Sequence, residues 1–242
     1  MSLLLDAKAI CQGCGTAMPS RLAASVNADR RPDLREGILA GAFQSETCSG
    51  CGAELRLPLH LSYIDNRRGQ WILAESADMA PDWRTVEAEA RSIFNDAHGP
   101  DAPPAAQELG RGLVPRIVFG WASLREKLLA RDLGLDDVTL ELTKAVILRE
   151  IPDAPLADQN ELRLTGADDE QLHLAWIESA SETELMGLSI PRDAYDAIDA
   201  DPEPWTTLRG NFADAYFVDL RRLFLAEPEG QSAMTGGGTS QV

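Results

Sequence analysis

Two copies of the pattern Cys-x-x-Cys-Gly, at positions 11–15 and 48–52, constrain this chain more than any other feature. Two residues between the cysteines let a tight turn present both sulfurs to one metal ion, and glycine suits the positive φ of such a turn. Two turns of this kind complete a tetrahedral four-thiolate site, which leaves no open position for a substrate and is therefore structural. The predicted ligands of one structural zinc ion are Cys11, Cys14, Cys48 and Cys51.

Two other interpretations of the cysteines stay open at this stage: four thiols without a metal, or two redox pairs. A redox pair of the thioredoxin type needs an exposed Cys-x-x-Cys unit that opens a helix after a strand. A duplicated unit followed by glycine is more typical of a metal-binding turn. Zinc is therefore the predicted cofactor.

The charge of the chain is acidic and unevenly distributed. The formal net charge is −17, whereas residues 1–76 contain eight Lys+Arg and eight Asp+Glu. All of the acidic excess therefore lies beyond position 76. Proteins that bind nucleic acids gather positive charge to displace counterions from phosphates. The charge thus argues against nucleic acid, and against an anionic membrane surface, as a partner.

Composition and hydropathy predict an ordinary folded protein. Its 242 residues, 44% hydrophobic and 25% charged, are enough to bury a sizeable core. No window reaches the roughly 18 consecutive apolar residues of a membrane span. The N-terminus also lacks the basic start and apolar run of a signal peptide. We therefore expect a cytoplasmic protein, in which thiols stay reduced.

Residues 1–76 are predicted to form a zinc-ribbon-like, β-rich domain that carries both cysteine turns. A proline at position 32 and a glycine at position 41 predict a helix between the two turns. Alternating polar and apolar residues over 54–63, a turn at 65–69 and a second run over 70–74 predict a β-hairpin.

The remainder is predicted as a mixed α/β region, which makes the fold class α+β. Residues 77–110 read as a helix followed by a Pro/Ala-rich linker, and 111–228 as an acidic α+β domain with several helices and a hairpin. Glycine, serine and threonine dominate 229–242, which is predicted to be a disordered tail.

Three local patterns mark helices in the acidic domain. Ser123 and Glu126 have the spacing of a capping box, which predicts a helix start at Ser123. Asp136 is predicted to cap the next helix. Apolar residues at spacings of four and three predict a final helix over 204–223.

Several short motifs resemble the CpXC family of bacterial and archaeal proteins, which is named for two Cys-Pro-x-Cys motifs. Besides the cysteine units, the motifs are Pro32–Gly41, Leu59–Asp65 with Trp71, Arg116–Phe119, Leu124–Leu128, Gly134–Asp137 and Glu141–Lys144. The resemblance spans about residues 8–226. It implies a cysteine-rich β-domain joined to an α/β region, and it implies no established activity.

The chain differs from that family at the proline that gives the family its name. Gln12 and Ser49 stand where the family usually has proline. Proline is not a metal ligand, so zinc binding is expected to survive with less rigid turns.

The favoured function is a non-enzymatic protein-interaction or assembly module with a protein partner. One alternative is a zinc-ribbon protein in nucleic-acid transactions. The arginines that could gather on one face for it are Arg21, Arg30, Arg31, Arg35, Arg56, Arg67 and Arg68.

The other alternative is an enzyme with a site in the acidic half. Phosphate-binding loops, dinucleotide fingerprints and nucleophile elbows are absent from the sequence. His60, His98 and His173 are scattered and are interpreted as structural or surface residues. The carboxylates at 136–137 and 168–170 are interpreted as a helix cap and a hairpin turn.

Overall fold

The computed structural model describes residues 2–151 and 159–225. It confirms the predicted α+β class and a β-rich N-terminal part. The strands are β1 (Leu3–Ile10), β2 (Ala17–Asn27), β3 (Ser45–Thr47), β4 (Glu54–Arg56), β5 (His60–Asp65), β6 (Gln70–Glu75), β7 (Val114–Phe119), β8 (Asn160–Ala167), β9 (Gln171–Glu178) and β10 (Glu184–Pro191).

Seven α-helices lie within the described residues, joined by short 3-10 turns. The helices are α1 (Pro32–Leu39), α2 (Trp83–His98), α3 (Pro104–Arg111), α4 (Trp121–Asp132), α5 (Asp137–Glu150), α6 (Arg192–Ala200) and α7 (Thr206–Gly210). The 3-10 turns are Ala77–Asp82, Glu203–Trp205 and Leu220–Leu223. None of the helices in the described ranges is long and apolar enough to span a membrane.

Three sheets organise the fold. The largest has the strand order β1-β2-β5-β6-β7, with antiparallel pairs at β1/β2 and β5/β6 and parallel pairs at β2/β5 and β6/β7. The others are the small antiparallel pair β3-β4 and the antiparallel sheet β10-β9-β8.

The five-stranded sheet is covered on both faces. Strand β6 shows this best, because alternate side chains of a strand point to opposite faces. Ile72 and Ala74 pack in the cluster that contains α1 and α4, whereas Trp71 and Leu73 pack in the cluster that contains α2. A separate cluster joins α5 and Tyr195 of α6 to the three-stranded sheet.

The five-stranded sheet contains strands that precede the segment 77–110 in the sequence and one strand that follows it. Strand β7 follows that segment and pairs in parallel with β6 along its whole length. The division into 1–76, 77–110 and 111–228 as domains stays a prediction. The tail predicted at 229–242 lies outside the described residues.

The predicted capping box at Ser123 is wrong. Helix α4 begins at Trp121, after Gly120 with φ of 87°, and Ser123 and Glu126 are buried inside the helix. Ser123 Oγ donates to Glu161 at 3.3 Å, and Glu126 accepts from the amide of Leu164 at 2.8 Å. The two side chains therefore make hydrogen bonds with residues remote in sequence, not with the backbone amides at the start of the helix. The cap at Asp136 is confirmed, since its carboxylate accepts from the amide of Thr139 at 2.8 Å.

The predicted continuous helix over 204–223 is also wrong. Helix α7 ends at Gly210, and the chain then turns and passes beside β7. There the amide of Ile117 donates to the carbonyl of Tyr216 at 2.9 Å, and Phe217 is fully buried beyond it. Burial of Phe217 against the sheet therefore outweighs the helical pattern of the apolar residues.

A cluster of buried charges joins α4, α5 and β8 to the last described turn. Arg163 contacts the carboxylates of Glu126 at 2.8 Å, Asp219 at 2.7 Å and Glu161. Lys144 pairs with Glu126 at 2.5 Å, and all of these side chains are nearly inaccessible to solvent. Burial opposes ionisation of Asp219, but the charge of Arg163 holds its pKa well below the usual range.

Replacement of Arg163 with methionine is expected to destabilise the protein by about 3–5 kcal/mol, because several buried carboxylates lose their counter-charge. Urea unfolding followed by circular dichroism measures the loss. The matched change Arg192→Met, at a surface arginine with a 3.9 Å ion pair, is expected to cost no more than about 0.5 kcal/mol. Equal stability of the two variants would contradict this account of the cluster.

Candidate metal centre

Each Cys-x-x-Cys unit forms the turn of a β-hairpin. The first lies between β1 and β2, and the second lies between β3 and β4. Both turns have the same backbone bonds. The amides of Cys11 and Cys48 donate to the carbonyls of Thr16 and Ala53, and the amides of the two following glycines donate back to the carbonyls of Cys11 and Cys48 at 2.8 Å. The two turns are therefore structural copies.

The glycines serve the role that the sequence assigns to them. Gly15 and Gly52 have φ values of 73° and 75°, a conformation that other residues rarely adopt. Within the second turn, the amide of Gly50 donates to Cys48 Sγ at 3.3 Å. Donation to sulfur stabilises a thiolate and orients it.

The two turns bring the four cysteine sulfurs together. All four Sγ atoms lie within 4.8 Å of one another, with 3.7 Å between Cys11 and Cys51 and 3.5 Å between Cys14 and Cys48. None of the four forms a disulfide. A tetrahedron with metal–sulfur bonds of about 2.3 Å has edges of about 3.8 Å, so the spacing suits one metal ion. The four cysteines can therefore hold a metal.

The electrostatics of the cluster favour a cation at its centre. The hydroxyl of Thr16, 3.2 Å from Cys14 Sγ, and a backbone hydrogen bond lower the pKa of Cys14 to about 6. A backbone hydrogen bond with Ala53 favours ionisation of Cys51. Contacts of Cys51 with the other three sulfurs nevertheless raise the pKa of Cys51 to about 12. One thiolate forms readily, and complete ionisation needs a positive charge among the sulfurs.

A small apolar cluster packs beside the two buried cysteines. Met18 of β2 packs against Cys11 and Cys48, which are both buried, whereas Cys14 and Cys51 are exposed. The amide of Ser49 approaches Met18 Sδ at 3.2 Å. Sequence analysis missed Thr16 and Met18, although the alternation of β2 places Met18 on a buried face.

Most of the arginines proposed for a nucleic-acid face make ion pairs or hydrogen bonds within the protein. Arg35 and Arg68 both contact Asp65 and Asp132, and Arg56 donates to two backbone carbonyls. The remaining acidic partners are Asp6 for Arg21, Asp33 for Arg31 and Asp29 for Arg67. Six of the seven arginines thus have carboxylate or carbonyl partners within the protein.

His173 contacts Ser189 and Asp168, which outwardly suggests a nucleophilic triad. Its Nδ1 lies 2.9 Å from Ser189 Oγ, and its Nε2 lies 3.2 Å from the Asp168 carboxylate. Ser189 and His173 are direct cross-strand partners of β10 and β9, and Asp168 accepts two amides of the β8–β9 turn. The contacts therefore follow from hairpin geometry on an exposed surface.

The other two histidines also have local partners. His60 pairs with Glu75, its cross-strand neighbour, at 2.8 Å. His98 Nδ1 lies 2.9 Å from the carbonyl of Ala106. The histidines thus do not meet at one site.

Comparison with known proteins gives one match. The family model described as CpXC protein matches residues 10–144, which is more than half of the chain and includes all four cysteines. No curated protein and no solved structure matches the chain. The matched range ends before β8, so it is narrower than the resemblance at 8–226.

Purified protein is expected to contain about one metal ion per chain by elemental mass spectrometry. Replacement of either cysteine pair with serine is expected to remove that ion, because both pairs contribute sulfurs to one site. Ser49→Ala, a change inside the second turn at a residue that is not a ligand, is the matched control and is expected to retain the metal. Full metal content after removal of one pair would contradict a shared site.

Proposed function

The chain belongs to the CpXC family, and from that premise we propose that it is a non-enzymatic interaction module with one structural zinc ion. The arrangement of the four sulfurs carries this proposal. Four thiolates in a tetrahedral arrangement are the donor set that zinc prefers in structural sites. Four protein ligands also fill the coordination shell, so the ion has no position at which to activate a substrate.

The zinc ion is proposed to hold the two hairpins together. The cluster around the sulfurs contains three buried residues and Leu55, which is too little apolar surface to fix two hairpins. One further link is the hydrogen bond from Ser20 to Glu46, at 2.7 Å. Zinc binding by such turns is worth about 10–16 kcal/mol near neutral pH, which is ample to order them.

The proposed docking surface is the free edge of β1, directly beside the first cysteine turn. Within the described residues β1 pairs with β2 alone and forms one edge of the five-stranded sheet. Leu3, Leu5 and Ile10 on this strand are exposed by 50%, 49% and 60%. Proteins usually protect such edges with charge or a bulge. Strand β1 has an irregular pairing between Leu3 and Leu4 and carries the exposed charges of Asp6 and Lys8, but its exposed apolar residues are typical of contact sites.

The proposed partner is a protein that adds an extended apolar segment to β1. Backbone groups of the edge strand supply the hydrogen bonds in this mode, and its apolar side chains supply affinity. The zinc-bound turn at the end of β1 limits the motion of the strand and so lowers the entropy that binding removes. Nucleic acid is disfavoured as the partner, since most arginines of this region are ion-paired and the net charge is −17.

Leu5→Lys and Ile10→Lys are expected to abolish recovery of the partner in copurification from cells that express the full chain. Both changes place a charge on the apolar edge. The matched control is Leu109→Lys on α3, where leucine is exposed by 51%, and partner recovery is expected to persist. Hydrogen exchange of the isolated complex is expected to show protection of the β1 amides. Partner recovery that persists in both Leu5→Lys and Ile10→Lys would contradict docking at β1.

A further inference from the structure

The side chains of the edge strand β1 follow a self-complementary order. From Leu4 onward, every second residue is in turn apolar, acidic, basic and apolar, as Leu4, Asp6, Lys8 and Ile10. In the opposite chain direction, the same four positions are apolar, basic, acidic and apolar. An antiparallel copy of β1 can therefore match its apolar residues to apolar residues and each charge to the opposite charge.

The backbone groups of these same four residues point away from β2. In an antiparallel pair, residues that exchange hydrogen bonds with the opposite strand alternate with residues whose N–H and C=O groups point the other way. The amide of Cys11, which directly follows β1, donates to the carbonyl of Thr16 at 2.9 Å. Counted back from Cys11 by twos, the residues that bond to β2 are Ala9, Ala7 and Leu5. The even-numbered residues therefore direct their backbone groups to the edge, where the described part of the chain supplies no further strand.

The positions of the two charges select one register for a pair of β1 strands. A two-fold axis at Ala7 places Asp6 opposite Lys8 of the second copy and Leu4 opposite Ile10. An axis at Asp6 would oppose two aspartates, an axis at Lys8 would oppose two lysines, and larger shifts leave fewer residues paired. Opposite charges and apolar pairs stabilise paired strands, whereas directly opposed like charges destabilise them. The register with the axis at Ala7 is therefore favoured.

Both charges are accessible to a second strand. The side chain of Asp6 is 97% exposed, and Lys8 is exposed as well. Asp6 contacts Arg21, its direct neighbour on β2, at 3.7 Å, and an ion pair this exposed is weak. The carboxylate of Asp6 can therefore accept a lysine from the side opposite to β2.

The net charge of −17 restricts where two copies of the chain can meet. Residues 1–76, which include β1, contain eight basic and eight acidic residues, and β1 itself contains one of each. The whole acidic excess lies beyond position 76. A contact through β1 therefore joins the neutral parts of two acidic chains, where long-range repulsion is weaker than between their acidic parts.

We propose that the partner at β1 is a second copy of this chain, bound by antiparallel pairing of the two β1 strands about a two-fold axis at Ala7. The two sheets then form one continuous sheet with five strands from each copy. Exposed Ile10 lies opposite Leu4 of the second copy, and exposed Leu5 lies opposite Ala9. This inference rests on the docking surface proposed above and names its occupant.

The size of the contact sets the kind of dimer that is expected. Stable interfaces bury about 1,200–2,000 Å² of surface, and one strand of eight residues from each copy offers less. The expected state is therefore a reversible equilibrium between one chain and two, which shifts toward the dimer as the protein concentration rises.

Sedimentation equilibrium of the full chain over a series of concentrations tests the proposal. Asp6→Lys and Lys8→Asp each replace two opposite-charge contacts with two like-charge contacts, and each is expected to weaken dimerisation by about tenfold or more. The double change Asp6→Lys with Lys8→Asp restores opposite charges and is expected to restore the wild-type equilibrium. Glu108→Lys, the same charge change at a carboxylate of α3 that is 72% exposed, is the matched control and is expected to have no effect.

Two further measurements keep the test decisive. An equimolar mixture of the two single variants is expected to form mixed dimers, because one variant presents two lysines and the other presents two aspartates. In the wild-type chain, the amides of Asp6 and Lys8 are expected to gain protection from hydrogen exchange as concentration rises, whereas the amide of Leu5, which already bonds to β2, changes less. Circular dichroism verifies that each variant is folded.

The results separate this inference from the docking surface on which it rests. A chain that is monomeric at every concentration, a dimer that is insensitive to both single changes, or a double variant that does not regain dimerisation would overturn pairing about Ala7. If such a monomer still recovers another protein from cells and loses it on Ile10→Lys, docking at β1 stands and its occupant is a different protein. If recovery also persists on Leu5→Lys and Ile10→Lys, both proposals fail.

Discussion

Mutual repulsion of four neighbouring thiolates is the constraint on which the N-terminal region depends. Their sulfurs lie within 4.8 Å of one another, so complete ionisation requires a cation between them. The same cation would join two hairpins that are distant in sequence and share few other contacts. Because the first hairpin continues into β1 and β2 of the five-stranded sheet, a metal ion held there would also anchor the edge at which we propose docking.

A different balance of charge organises the second half. Arg163 and Lys144 lie among buried carboxylates from two helices and the last described turn, where every charge needs a nearby opposite charge.

Patterns that depend on neighbouring residues were predictable from the sequence. The cysteine spacing and the following glycines indicated both turns, and Asp136 capped its helix as expected. The capping box failed because Glu126 finds Arg163 and Lys144, partners that are remote in sequence and are brought near only by the fold. The final helix failed for a similar reason, since its apolar spacing did not reveal the contact of residues 216–217 with β7.

The sequence also could not reveal which donors of a buried arginine find a hydrogen-bond partner. Composition counts Arg56 and Arg221 as two positive charges. The packing around them determines that Nη1 has hydrogen-bond partners, whereas Nε and Nη2 are buried without one among the described residues. The measurement that tests the central claim most directly is X-ray absorption at the zinc edge of purified full-length protein. The account predicts four sulfur neighbours at about 2.3 Å and no oxygen or nitrogen ligand. A zinc ion with fewer sulfurs and a bound water, or a protein without zinc, would contradict it.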